Sequence, residues 1–307
     1  MTFRAPPYPP LADFAASWHD RETGSTVPWA HGTTQALPFL DDSGVRRRIE
    51  DVLETVVALQ RAEWLEDGVY VGPRSMPEVY GDVLEAARVL KVAVPPAVIS
   101  GCAQSSQRAM GTDDRAFLHL STFFFPSASE GERRFMAGRL CGHIAARQVT
   151  WTTCYSLLVD QGGLQTVARR SLGPALEVFL APLSLGARLA LSRWHRAAEV
   201  TADRAGLLCS GSLDGAGRAL LRIALGVTPR VAPEDYLDQL RSTTSASSPG
   251  RWAELLQARP FMHKRLKALD LFRRSELWVR LGGDAAEGTL LDDEELHRRT
   301  ASLLQVG

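Results

Sequence analysis

The sequence predicts an α+β fold, mostly α-helical, with one small sheet of about three or four strands. Three observations lead there. Segments of β character are confined to the first 122 residues. From residue 129 onward, apolar residues recur at spacings of three and four over long runs, the period of a buried helix face. No internal repeat of solenoid length is visible, so few strands followed by many helices is left as the architecture.

The elements follow in order. Residues 1–42 carry much of the proline and read as an extended arm with one short helix near 11–18. Residues 43–64 form the first strong helix, which Ser43 can cap. Strands are expected at 67–73, 97–103 and 115–122, with a helix over 76–91. One long helix is expected over 129–158, then helices over 163–180, 184–210, 212–225, 233–241, 251–257 and 261–281. The segment 242–250 is a polar loop, and the tail 286–307 carries a helix at 292–304. The main domain therefore spans 43–285.

Composition narrows the function. The 307 residues are 45% apolar and 23% charged, as in an ordinary soluble globular protein. Lys plus Arg and Asp plus Glu are 35 each, which argues against a nucleic-acid partner. Arg46-Arg47-Arg48 is followed by Glu50 and Asp51 and reads as a solvated helix start. None of Cys102, Cys141, Cys154 and Cys209 forms a Cys-x-x-Cys pair. They read as buried free thiols in a reducing compartment, and a cytoplasmic location is expected. The N-terminal stretch has no apolar core of signal-peptide length. The most apolar stretch, 172–191, is interrupted by Pro174, Glu177, Pro182 and Arg188, so no transmembrane segment is expected.

The chemistry concentrates in two segments. GRLCGHIAAR (138–147) has the form of a helix that carries His-Glu-x-x-His, with its first two chemical residues replaced. LSRWHRAAEVTADRAGLLC (191–209) carries Glu199 and Asp203 one helical turn apart. With VGPRSMPEVYGDVLEAARVL (71–90), DRAFLHLST (114–122), WHRAAEVTADRAGLL (194–208) and ARPFMHKRLKALDLF (258–272), the chain resembles the HtpX-like zinc metallopeptidases, metallopeptidase family 48, over roughly 45–282. The resemblance implies a gluzincin-like peptidase fold with a long central helix pair. It places His143 on the second zinc histidine, Glu199 on the glutamate ligand, and Asp203 on the aspartate that orients a ligand histidine. It also implies that 114–122 is the sheet's edge strand.

The departures are specific. Arg139 stands where the first histidine would be, and Leu140 where the general base would be. Gln107-Arg108 replaces an Asn-Ala pair, and Arg259-Pro260 a His-Pro. Arginine has no lone pair to offer a metal, and leucine cannot take a proton from water. The expectation is therefore a catalytically inactive metallopeptidase-like protein without a cofactor, acting as a scaffold, a decoy or a partner of another protein or extended peptide. Arg139 is expected to bond Glu199 or Asp203 in place of the dication, with Leu140 in the core. The alternative is an active zinc enzyme with a rearranged site of His143, His195 and Glu199, although the family's tyrosine-like residue at the place of His195 implies that it points elsewhere. Cys141 reads as a buried thiol, not a nucleophile. His119 reads as a surface residue, and Trp151, Tyr155 and Trp194 read as core aromatics.

Overall fold

The structure is a computed structural model; it describes residues 27–31, 43–101, 107–158, 185–225, 262–286 and 288–304. The expected helices at 11–18, 163–180, 233–241 and 251–257, the loop 242–250, Cys102 and Arg259-Pro260 lie outside the described residues.

The described chain is mostly helical, with one four-stranded mixed sheet. Helix α1 (Ser43–Glu66) buries Ile49, Leu53, Val56 and Val57, a stripe at helical spacing. Strand β1 (Gly68–Tyr70) leads to α2 (Pro77–Leu90), which starts on a proline and stops at Lys91 in the left-handed conformation. Strands β2 (Ala97–Ser100), β3 (Arg108–Gly111) and β4 (Ala116–Ser121) complete the sheet in the order β1-β2-β4-β3. β2 runs parallel to β4, Ala97 facing Leu118, while β1 and β3 run antiparallel to their neighbours.

Two expectations about the sheet are corrected here. The segment 115–122 is not an edge: β4 lies between β2 and β3, and the edges are β1 and β3, of which β3 is absent from the predicted strands. His119 is not a surface residue either. It is buried, lies 2.8 Å from the Ser100 hydroxyl through Nε2, and stacks on Trp64 at 3.7 Å between ring centroids. β4 is buried on both faces, so the period-2 signal that marks a half-exposed strand is missing.

The expected helix 129–158 is two helices, α3 (Glu130–Ala145) and α4 (Val149–Leu158). Ser129 and Glu132 form a capping box at the start of α3. At the break Arg147 has φ 50°, and α4 restarts on a distant side chain: Asp113 Oδ1 accepts from the N–H groups of Val149 at 2.8 Å and Thr150 at 3.3 Å. No proline or glycine marks this break, and a cap supplied by a residue 36 positions away leaves no local trace. Then come α5 (Leu185–Ser210) and α6 (Leu213–Leu225). The expected helix 261–281 also divides, into α7 (Met262–Arg273) and α8 (Glu276–Arg280), because Ser275 bridges to Leu291 and caps Trp278 N–H. Helix α9 (Asp293–Leu304) closes the described chain. Among the described residues, no helix is long and apolar enough to cross a membrane.

What positions the site is the crossing of α3 and α5. A Cβ on Gly138 would stand 2.5 Å from Cys209 Cβ, and one on Gly142 2.4 Å from Ala205 Cβ. A Cβ on Gly206 would come within 2.7 Å of the Phe135 carbonyl oxygen. Only glycine lets the two backbones approach this far, and that approach brings side chains one turn away on each helix into direct contact. Residues 27–31 pack on the other flank of α5, with Val27 and Trp29 in the main core.

Candidate functional site

Arg139 and His143 lie one turn apart on α3, and Glu199 and Asp203 one turn apart on α5. Arg139 reaches both acids: Nε donates to Asp203 Oδ1 at 3.0 Å, and Nη2 donates to Glu199 Oε2. Arg265 of α7 holds Asp203 from the other side, Nε to Oδ2 at 2.7 Å and Nη2 to Oδ1 at 2.6 Å. Its Nη2 also lies 3.7 Å from Glu199 Oε2. All four groups are buried. Two guanidiniums and two carboxylates thus close into a neutral cluster, the condition under which buried charge is tolerated. Burial works against the charge of Arg265, but Asp203 and then Glu199 outweigh it and raise its pKa.

The histidines border this cluster. His143 Nδ1 and Gln148 Oε1 lie 3.0 Å apart, which turns Nε2 toward Glu199 Oε1 at 3.8 Å. Burial, with the Arg139 guanidinium beside it, lowers the His143 pKa to about 4, so the ring is neutral at neutral pH. His195 does not point away: its ring stacks on Tyr155 at 4.0 Å, with Nε2 3.9 Å from the same Glu199 oxygen. Leu140 is fully buried within the main apolar cluster. Trp151, Tyr155 and Trp194 are buried together as core aromatics, with Tyr155 also lining an open cleft. The cleft is lined by Arg139, His143 and Glu199 together with Gln107, Arg108 and Ala109.

The cysteines in the described chain are free thiols, buried at Cys141 and Cys154 and half-buried at Cys209. Burial raises all three, Cys154 and Cys209 to about 12, so none is a ready nucleophile.

The family model described as Peptidase family M48 matches residues 84–272, more than half of the chain and all of the cluster just described. The chain belongs to peptidase family M48. A curated relative, the plastoglobule-localized metallopeptidase 48, chloroplastic, of Arabidopsis thaliana, is 24% identical over 218 residues, or 70% of this chain. The chain spans 59% of the length of that relative. No solved structure matches.

M48 membership poses a question of fit. Zinc held as the family resemblance implies would need a lone pair at position 139, and hydrolysis would further need a carboxylate base at 140. Arg139 offers a cation instead and engages the very glutamate that would bind metal. Among the described residues, no group of three or more His, Cys, Asp or Glu is arranged to hold a metal ion. The residues present do not fit zinc bound in the family's manner. Two participants escaped the sequence reading. Gln148 fell inside a segment read as continuous helix. Arg265 sat in a segment that the resemblance included, but its partner on α5 could not be read from spacing.

Proposed function

We propose that this chain is a metallopeptidase-like protein of family M48 that does not hydrolyse peptides and acts by binding another protein or an extended peptide. The observation that carries this reading is the double engagement of Arg139 with Glu199 and Asp203. In the zinc motif, a dication and an ionised general-base glutamate together contribute a charge of +1 to the site. Arg139 and Leu140 together contribute the same +1. The two departures therefore offset each other electrostatically, and the retained acids stay neutralised with no metal. A single departure would leave the buried cluster unbalanced. The arginine then serves as the tie between α3 and α5, and the leucine extends the core where a base would have acted on water.

In this reading residues 43–285 form the peptidase-like domain, with an N-terminal arm at 1–42 and a tail at 286–307. The buried free thiols support a reducing, cytoplasmic setting. The experiment is metal analysis of purified protein, with digestion of unfolded casein in the presence and absence of a chelator. No bound zinc and no chelator-sensitive cleavage is the expected result; turnover that a chelator abolishes would refute the reading.

A second reading has its own observation. Nε2 of His143 and Nε2 of His195 both approach Glu199 Oε1, at 3.8 and 3.9 Å. A rearranged zinc site of His143, His195 and Glu199 would use these three atoms, and the neutral state of His143 suits a ligand. It would have to form beside the Arg139 guanidinium, which disfavours a dication. The same metal analysis separates the two readings.

A further inference from the structure

Away from the ion cluster, another flank of α5 holds three buried nitrogens, Arg204 Nε, Trp29 Nε1 and His31 Nδ1, that have no hydrogen-bond partner among the described residues. They belong to one patch. Arg204 is fully buried and donates from Nη1 to the Trp29 carbonyl at 3.3 Å and from Nη2 to the Thr300 hydroxyl at 3.2 Å. The His31 N–H donates to Thr201, one turn before Arg204 on α5, and the His31 ring stacks on His297 of α9 at 5.7 Å between centroids. An arginine Nε–H and an indole N–H can only donate, so what both lack is an acceptor.

Charge says which acceptor. Among the described residues, the acid whose charge acts on Arg204 is Asp293. Along α9 it lies about two turns, or ~10 Å of rise, from the Thr300 that Arg204 bonds, and its Oδ2 is 2.6 Å from Arg280. Its Oδ1, also buried without a hydrogen-bond partner among the described residues, repels an anion and so favours the Trp29 side of the guanidinium. Arginine keeps its proton, so the buried charge stays one unit short of a close counter-charge. A water would satisfy the N–H groups and leave that charge standing. A dianion would overcompensate it. A halide carries the one charge required, accepts N–H groups from any direction, and needs little more room than a water.

We propose that Arg204 Nε and Trp29 Nε1, joined by His31 Nδ1 when that atom carries the ring proton, bind a chloride ion that pins residues 27–31 to α5 and α9. The site is separate from the cleft and does not depend on what the cleft binds. The test is urea denaturation of the full chain in sodium chloride and in sodium gluconate at equal ionic strength, with chlorine NMR line broadening as the direct measure of binding. For a dissociation constant of about 10 mM, the unfolding constant should be about tenfold smaller in about 100 mM chloride than in gluconate, and the effect should saturate. Hydrogen exchange at 27–31 should slow with it. Trp29→Phe keeps an aromatic ring, removes one donor, and should weaken chloride about tenfold. Arg204→Met should abolish the chloride effect. Each variant is compared with itself in the two salts, so its own loss of stability cancels. Equal stability in chloride and gluconate, no saturable line broadening, or a chloride effect that survives Arg204→Met would overturn the proposal. If Arg204→Met does not fold, Trp29→Phe decides: an unchanged chloride affinity overturns the site, and a weakened one supports it.

Discussion

Helix α5 carries two buried arginine clusters on different faces, and they solve the same problem differently. On the face toward α3, Arg139 and Arg265 meet Glu199 and Asp203 charge for charge. On the other flank, Arg204 is fully buried and, among the described residues, bonds only neutral acceptors, Trp29 O at 3.3 Å and Thr300 Oγ1 at 3.2 Å, with the Phe272 ring 5.1 Å away at its centroid. Burial lowers the Arg204 pKa to about 9, with Asp293 acting weakly against it. Its Nε, like His31 Nδ1 and Trp29 Nε1 nearby, is buried without a hydrogen-bond partner among the described residues. The closed cluster occupies the position that the family resemblance assigns to a metal site. The open one fastens residues 27–31 and α9 to the same helix. Charge compensation is concentrated where, in the proposed reading, a metal has been replaced.

The comparison breaks most sharply on a matched pair of substitutions. Arg139→Met should leave two buried carboxylates, Glu199 and Asp203, to share the single cation of Arg265, at a cost on the order of 3–5 kcal/mol. Arg204→Met strands no charge, only a carbonyl and a hydroxyl, and should cost roughly 1–2 kcal/mol. Urea denaturation of both variants measures the difference. Equal losses would mean that the ion cluster has no special role.

Rebuilding the zinc motif tests the charge arithmetic. Arg139→His with Leu140→Glu replaces +1 by −1 in the absence of metal. The double variant should be less stable than the parent by about 2–4 kcal/mol, and zinc should recover much of that loss by binding the folded state. The parent should not respond to zinc. Thermal melts with and without zinc read both effects, and a parent melting point that rises with zinc would favour the rearranged site.

Acidification should weaken both flanks of α5, through His143 on one side and through His31 and His297 on the other. The His31 pKa is lowered to about 3 by burial, then by Arg204 and His297, and that of His297 is lowered by burial and Arg204. A depressed histidine pKa means that the unfolded state binds the proton more readily. Stability is therefore full above about pH 6.5 and falls as pH drops toward 3. For His31 alone the loss by pH 5 is about 2 kcal/mol. His31→Phe keeps a ring against His297 and should remove the His31 share of the decline while leaving that of His143, which denaturation between pH 7 and 5 will show.

How much of this was legible depended on whether the interaction was local. The spacing that places Arg139 and His143 on one helix face, and Glu199 and Asp203 on another, is a property of the sequence itself. The expected Arg139 contact is present because both helices were assigned and the family order fixed which faced which. The end of α3 was not legible, since Asp113 supplies the restart of α4 from a distant loop. Strand β3 was missed because four residues containing Arg108 and Gly111 carry little β signal, and its pairing with β4 is a tertiary fact. The Gln148 contact to His143 depended on that same helix break. His119 was misread because a strand buried on both faces does not alternate.

The smallest expected effect lies where 27–31 meets α5. The Thr201 hydroxyl accepts from His31 N–H at 2.9 Å and lies 3.1 Å from Ala197 O and 3.3 Å from His31 O. It is fully buried, and it sits between Glu199 and Asp203 in sequence while serving the other flank of the helix. Thr201→Val keeps the shape and removes the acceptor of the His31 N–H, so the cost should be about 1–2 kcal/mol, that of one unsatisfied buried donor. The effect should stay on its own side. Hydrogen exchange should quicken at 27–31 and leave the Arg139 cluster unchanged, because the salt bridges to Glu199 and Asp203 do not pass through the Thr201 hydroxyl. If exchange instead rose across α3 as well, the two flanks of α5 would be one cooperative unit, and the contrast between a closed and an open cluster would lose its meaning.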